Sequence, residues 1–115
     1  MTDLIVNLSV KETLKKMTEK IDSSMSGTVL DYHPLPDGGA VIIYEKYYYR
    51  AENMLTLTAV VYPEDTNTHV HLVSGGGGSG IFGIDWGASG SFETSVEEAL
   101  DRYIISRSSN DGAVL

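Results

Sequence analysis

Between residues 4 and 8 the chain reads LIVNL, with Leu4, Val6 and Leu8 at alternate positions, which is the period of a strand burying one face. The period then lengthens. Val10, Leu14, Met17 and Ile21 recur at three and four residues and trace one stripe of a helix. Its start is marked by S-V-K-E at Ser9, where the serine hydroxyl can take the Glu12 amide while the glutamate reaches back to the serine amide. The stripe ends near Asp22–Gly27, and Gly27 suits a helix terminus. Alternation returns in TVLDYH at 28–33, then after PLPDGG in AVIIYEKYYYR at 40–50. After RAEN it continues in MLTLTAVVY at 54–62, and after PEDTN in THVHLV at 68–73. Pro36, Asp37, Gly38 and Gly39 favour a reverse turn, and connections this short predict an antiparallel meander.

Eight of the twelve glycines fall between Gly75 and Gly90. Gly75–Gly78 are expected to bend the chain. SGIFGIDW at 79–86 alternates again, placing Phe82, Ile84 and Trp86 on one face of a sixth strand. Ser95 opens a second S-V-E-E pattern, followed by a stripe of Val96, Ala99, Leu100, Tyr103 and Ile104. The predicted order is β-α-β-β-β-β-β-α: an α+β fold with a curved antiparallel sheet of about six strands and two helices on one face, like a helix-grip arrangement. Residues 1–107 are read as one domain and 108–115 as a mobile tail.

A hydrophobic fraction of 42% over 115 residues is ample for one core and one domain. The net charge of -8 is concentrated in residues 51–115, which carry nine acidic and two basic groups. An acidic chain without a basic tail has little to offer phosphates, so nucleic acid is not expected as a partner. Lys11, Lys15, Lys16 and Lys20 interleave with Glu12 and Glu19 at helical spacing and read as a solvated face. No apolar run is long enough for a membrane span, and the start MTDLIVNLSV lacks the character of a signal peptide. With no cysteine for disulfides or thiolate chemistry, a cytoplasmic location is expected.

GSGIFG at Gly78–Gly83 matches the pattern of dinucleotide-binding loops. It follows one strand and opens another, whereas phosphate binding needs a helix N-terminus, so no nucleotide cofactor is expected. Exposed amides at Gly77, Gly78, Ser79 and Gly80, beside Asp85 and Trp86, can still form a nest for a small ligand. Asp85, next to a large aromatic, is the candidate acid or base if the chain is instead a small isomerase or hydrolase working with a histidine. His69 and His71 share one strand face and, with a carboxylate, have the chemistry to hold zinc or iron. Polar residues at alternate positions are also what any half-solvated strand shows, and no metal site is assigned. Tyr44 and Tyr48 share a face of the tyrosine-rich strand and are the candidate interface of a homodimer.

The stretch SGGGGSGIFGIDWGASGSFE, between a strand and a capped C-terminal helix, resembles the glycine-rich segment of a family of small bacterial proteins classed as a domain of unknown function. The resemblance implies a small cytosolic bacterial protein and assigns no catalytic residue. Taken together, the residues point to a non-enzymatic domain that binds a small molecule or a protein partner.

Overall fold

The structure is a computed structural model and describes residues 1–48, 53–76 and 86–109. Its elements are β1 (Thr2–Val6), α1 (Val10–Met25), β2 (Thr28–Pro34), β3 (Ala40–Tyr48), β4 (Asn53–Glu64), β5 (Asn67–Gly76), α2 (Trp86–Leu100), a 3-10 turn (Asp101–Tyr103) and β6 (Ile104–Ser109). The six strands form one sheet in the order β2-β3-β4-β5-β1-β6, and every neighbouring pair is antiparallel. The fold is α+β, as the alternating pattern predicts.

Helix α1 starts as its sequence dictates. Ser9 is extended, its hydroxyl accepts the Glu12 N–H at 3.1 Å, and Glu12 Oε1 accepts the Ser9 N–H at 3.4 Å. The helix ends on Ser26, which is left-handed at φ 52°, and the Gly27 N–H closes on the Ile21 carbonyl. Gly27 is needed there because a Cβ would fall 2.5 Å from an Ile21 methyl carbon.

The strands run from 28 to 76 as a meander. Between β2 and β3 the Leu35 N–H donates to the Gly39 carbonyl at 2.8 Å, and Gly38 takes a φ of 92°. Gly39 lies so close to β4 that a Cβ would sit 2.5 Å from the Val61 carbonyl oxygen.

Both helices pack on one sheet face, α1 over β4 and α2 over β5 and β4. Leu4 and Val6, Ile42 and Tyr44, Leu55, Leu57, Ala59 and Val61, and Val70 and Leu72 come from alternate positions of four strands. They meet Met17 and Ile21 of α1 and Phe92, Val96 and Leu100 of α2 in one core.

Three expectations for the second half are corrected. Gly75 and Gly76 do not begin the bend; they extend β5, opposite Thr56 and Leu55. Trp86 does not end a strand but is the first residue of α2, and residues 79–85 of the expected sixth strand lie outside the described residues. Ser95 therefore sits inside α2, and its S-V-E-E is not a helix start. Finally, Tyr103 and Ile104 leave the helix: Leu100 is its last residue, and the chain turns back so that β6 pairs with β1. Ser108 and Ser109, the first two residues of the expected tail, belong to that strand.

Candidate functional site

The helical stripe of α1 is not buried evenly. Met17 and Ile21 are sealed in the core, whereas Val10 and Leu14, one and two turns nearer the N-terminus, are only partly covered. Opposite them lies β2, the outermost strand. All seven of its residues are exposed, although Val29 and Tyr32 sit opposite the buried Tyr44 and Ile42 and so lie on the helix side of the sheet. With 44% and 51% of their surface open to solvent, they form one wall of an apolar groove of about 720 Å³. The other wall is Val10, Leu14 and Thr18, and Ile42 forms the floor. A second hollow of about 280 Å³ shares Thr18, Glu19 and Val29 and continues along α1 to Asp22 and Thr28.

The rim is charged in sequence along the helix. Lys11 and Lys15 stand at the N-terminal part of the groove, and Glu19 and Asp22 follow towards its other end. Among the described residues, neither lysine has a carboxylate within ion-pair distance. Beneath this wall Thr18 Oγ1 and the Tyr44 hydroxyl share a 2.8 Å hydrogen bond, which gives the buried tyrosine its polar partner. Burial pushes the Tyr44 hydroxyl above its ordinary pKa, opposed in part by that bond.

The opposite sheet face carries a different constellation. Asp3 Oδ1 is 2.8 Å from His69 Nε2 and 2.8 Å from His71 Nδ1, and Glu64 Oε1 is 3.1 Å from His69 Nδ1. Strand register creates it: β1 and β5 place Asp3 opposite His71 and Ile5 opposite His69, and Tyr62 of β4 lies opposite His69 from the other side. The Tyr62 ring stacks on His69 at 4.8 Å.

With carboxylates at both nitrogens, His69 satisfies both only as the doubly protonated ring. Burial depresses its pKa, but the hydrogen bonds to Asp3 and Glu64 and their charges prevail, so the net shift is upward. For Asp3, burial raises the pKa and the bonds from the two histidines prevail, leaving it below the ordinary carboxylate value. The Tyr62 hydroxyl is raised, by burial first and then by Glu64 and Asp3. His71 keeps Nε2 outside the cluster's bonds, but its neighbours on that face, Val60 and Val73, are apolar. Among the described residues, no group of three or more His, Cys, Asp or Glu is placed to hold a metal ion.

Comparison with protein families gives a match over residues 2–104 to a family of unknown function (DUF6054). The chain belongs to that family. No curated protein and no solved structure matches it. The match reaches from β1 to the first residue of β6, so the groove, the histidine cluster and the glycine-rich segment are all within the DUF6054 region.

Not all the residues singled out in the sequence can be placed in this DUF6054 fold. Gly77, Gly78, Ser79, Gly80 and Asp85 lie outside the described residues, and so does the enzyme alternative built on Asp85. Trp86 is placed only as the first residue of α2. Tyr44 is corrected: it is fully buried and cannot be an interface residue, because its strand face is the one that meets the helices. Tyr48 ends β3, and its side chain is outside the described part. The opposite face of β3 carries Tyr47, which is exposed.

His69 and His71 do share a face, as their spacing requires, but their anchor was missed. Asp3 alternates with Leu4 and Val6, so it was legible as a residue of the uncovered face; its pairing with β5 was not. Among the described residues, no helix is long and apolar enough to cross a membrane.

Proposed function

We propose that the protein binds an elongated apolar molecule with an acidic head group in the groove between α1 and β2. The observation that carries this is the half-buried pair Val10 and Leu14 facing exposed Val29 and Tyr32 across about 720 Å³ of open space. Core-directed positions of a helix and a sheet ordinarily bury each other, and here both stop short. The volume falls within the roughly 300–1,000 Å³ of small-molecule sites, and an apolar lining with few polar groups is their usual character. Continuity with the hollow at Asp22 and Thr28 favours a long ligand over a compact one.

Head-group chemistry follows from the rim. Lys11 and Lys15 lie in the first turns of α1, where the helix dipole also favours negative charge, while Glu19 and Asp22 repel it from the other end. A carboxylate is therefore expected beside the lysines, with its chain running towards Thr18 and Thr28. This is binding without a reaction.

Calorimetric titration with dodecanoate and dodecanol tests the reading. Both should bind, and Leu14→Gln should weaken both. Lys11→Glu with Lys15→Glu should weaken dodecanoate by about tenfold and leave dodecanol nearly unchanged, since each exposed charge contributes up to about 1 kcal/mol. No heat from either probe, or affinities unmoved by Leu14→Gln, would refute it.

A further inference from the structure

We infer that the outer edge of β2, which pairs with no strand among the described residues, is a dimerisation edge, and that a second copy of this chain pairs there antiparallel about a twofold axis at Tyr32. The outer strands of the sheet are β2 and β6, and β2 exposes more apolar surface. Strand β6 exposes one large apolar side chain, Ile105, among serines and Arg107, whose guanidinium is paired with Glu97 of α2. Strand β2 exposes Val29, Leu30 and Tyr32, each more than two-fifths open to solvent. Exposed edges of this apolar kind are usually blunted by charge or covered.

Backbone direction supports the same place. The Leu35 N–H bonds to Gly39 across the hairpin, so by strand alternation His33 turns its amide and carbonyl to β3, and Tyr32 turns its own outward.

Symmetry limits the registers. A twofold axis normal to the sheet pairs only residues of the same face, so the axis must pass through one residue. At Asp31 it would set two carboxylates opposite each other. At His33 it would pair imidazole with imidazole and place the apolar Leu35 opposite Asp31. At Tyr32, Asp31 stands opposite the partner's His33, and His33 opposite the partner's Asp31. That gives two complementary pairs and a tyrosine pair between them. Leu30 then faces the partner's Pro34, whose carbonyl can still accept although it has no N–H to donate.

The bulge between Val29 and Asp31 at one end and Pro34 at the other confine the ladder to this short centre. Because the contact is the same on both copies, it closes at two chains. It also supplies what the groove lacks. Val29 and Tyr32 stand at the open rim of the sheet, and the partner's β2 would continue that wall. The dimer goes beyond the binding reading and does not depend on it.

Light scattering coupled to gel filtration at tens of micromolar tests it. Wild type should elute with twice the chain mass. Asp31→Arg should give monomer by placing arginine opposite imidazole, and Asp31→Arg with His33→Glu should restore the dimer. Tyr32→Pro, which deletes the outward N–H, should also give monomer, with circular dichroism confirming that each variant is folded.

Monomeric wild type overturns the inference, as does a dimer that survives Asp31→Arg. A dimer lost in Val73→Lys but retained in Asp31→Arg would move the contact to the uncovered sheet face and overturn it equally. Dodecanoate binding by monomeric Asp31→Arg would keep the groove reading intact whatever the fate of the dimer.

Discussion

At the scale of single residues, the clearest consequence concerns Asp3 and His69. The folded state lowers Asp3 below its ordinary 3.8, so its contribution is present above that value and is lost as pH falls through the folded pKa. It raises His69 above 6.5, so that contribution is complete below 6.5 and is lost as pH rises through the folded pKa. The clamp therefore stabilises the fold most between 3.8 and 6.5. His69→Gln should cost about 1 kcal/mol in that window, because the groups are partly solvated, and less on either side. Urea unfolding of wild type and variant across this range is the check, and a difference that grows towards alkaline pH would contradict it. Tyr44 shows the limit of reading residues singly. Alternation correctly divides Tyr44 from Tyr47, but which of the two faces meets a helix depends on the rest of the fold. The buried tyrosine was recognisable only once Thr18 of α1 was seen to supply its hydrogen bond.

At the scale of elements, α1 and the meander were legible because their signals are local. A capping box, a stripe of Val10, Leu14, Met17 and Ile21, and turns rich in proline and glycine each act within a few residues. Helix α2 was misread because its determinants are not local. WGASGS contains two glycines and two serines, poor formers in isolation, yet it is helical as the start of an element whose Phe92, Val96 and Leu100 insert into the core. Its docking is helped by Glu93, buried on the sheet side. Glu93 Oε1 accepts the Thr2 hydroxyl at 2.7 Å, and Oε2 accepts from the Ser74 hydroxyl, so one carboxylate joins α2 to β1 and β5. Burial raises its pKa, but these bonds outweigh burial and hold it below the ordinary carboxylate range. Glu93→Ala should destabilise by about 2–3 kcal/mol, since it strands two hydroxyls, and Glu93→Gln by less, since an amide oxygen still accepts. Thermal unfolding of both variants measures this, and a Glu93→Gln loss equal to that of Glu93→Ala would contradict it, because glutamine fills the same space and keeps an acceptor. Strand β6 was missed for a related reason: SRSS has no strand signature of its own, and its partner β1 lies about a hundred residues away in sequence.

At the scale of the whole molecule, the two helices do not span the sheet they cover. α2 lies over β5 and β4 and α1 over β4 and Tyr44 of β3, which leaves the helix side of β2 exposed at the margin of the layer. No alternation pattern reveals this, because Val29 and Tyr32 have the same sequence character as residues that end up buried; what they lack is close packing against α1, which stands back across the groove. Lys11 and Lys15 read as a solvated face for the same reason, and they become a candidate head-group site only because an apolar groove runs beneath them. Groove, exposed edge strand and the lysines Lys11 and Lys15 meet at one end of the molecule, whereas the histidine cluster lies on the other side of the sheet, tied up in its own hydrogen bonds.

The groove's occupancy is tested most directly by following backbone amide shifts during a dodecanoate titration. Binding should perturb α1 from Val10 to Asp22 together with Val29, Tyr32 and Ile42, and leave His69 and His71 unmoved. Perturbations centred on the histidine face, or none at saturating dodecanoate, would contradict it.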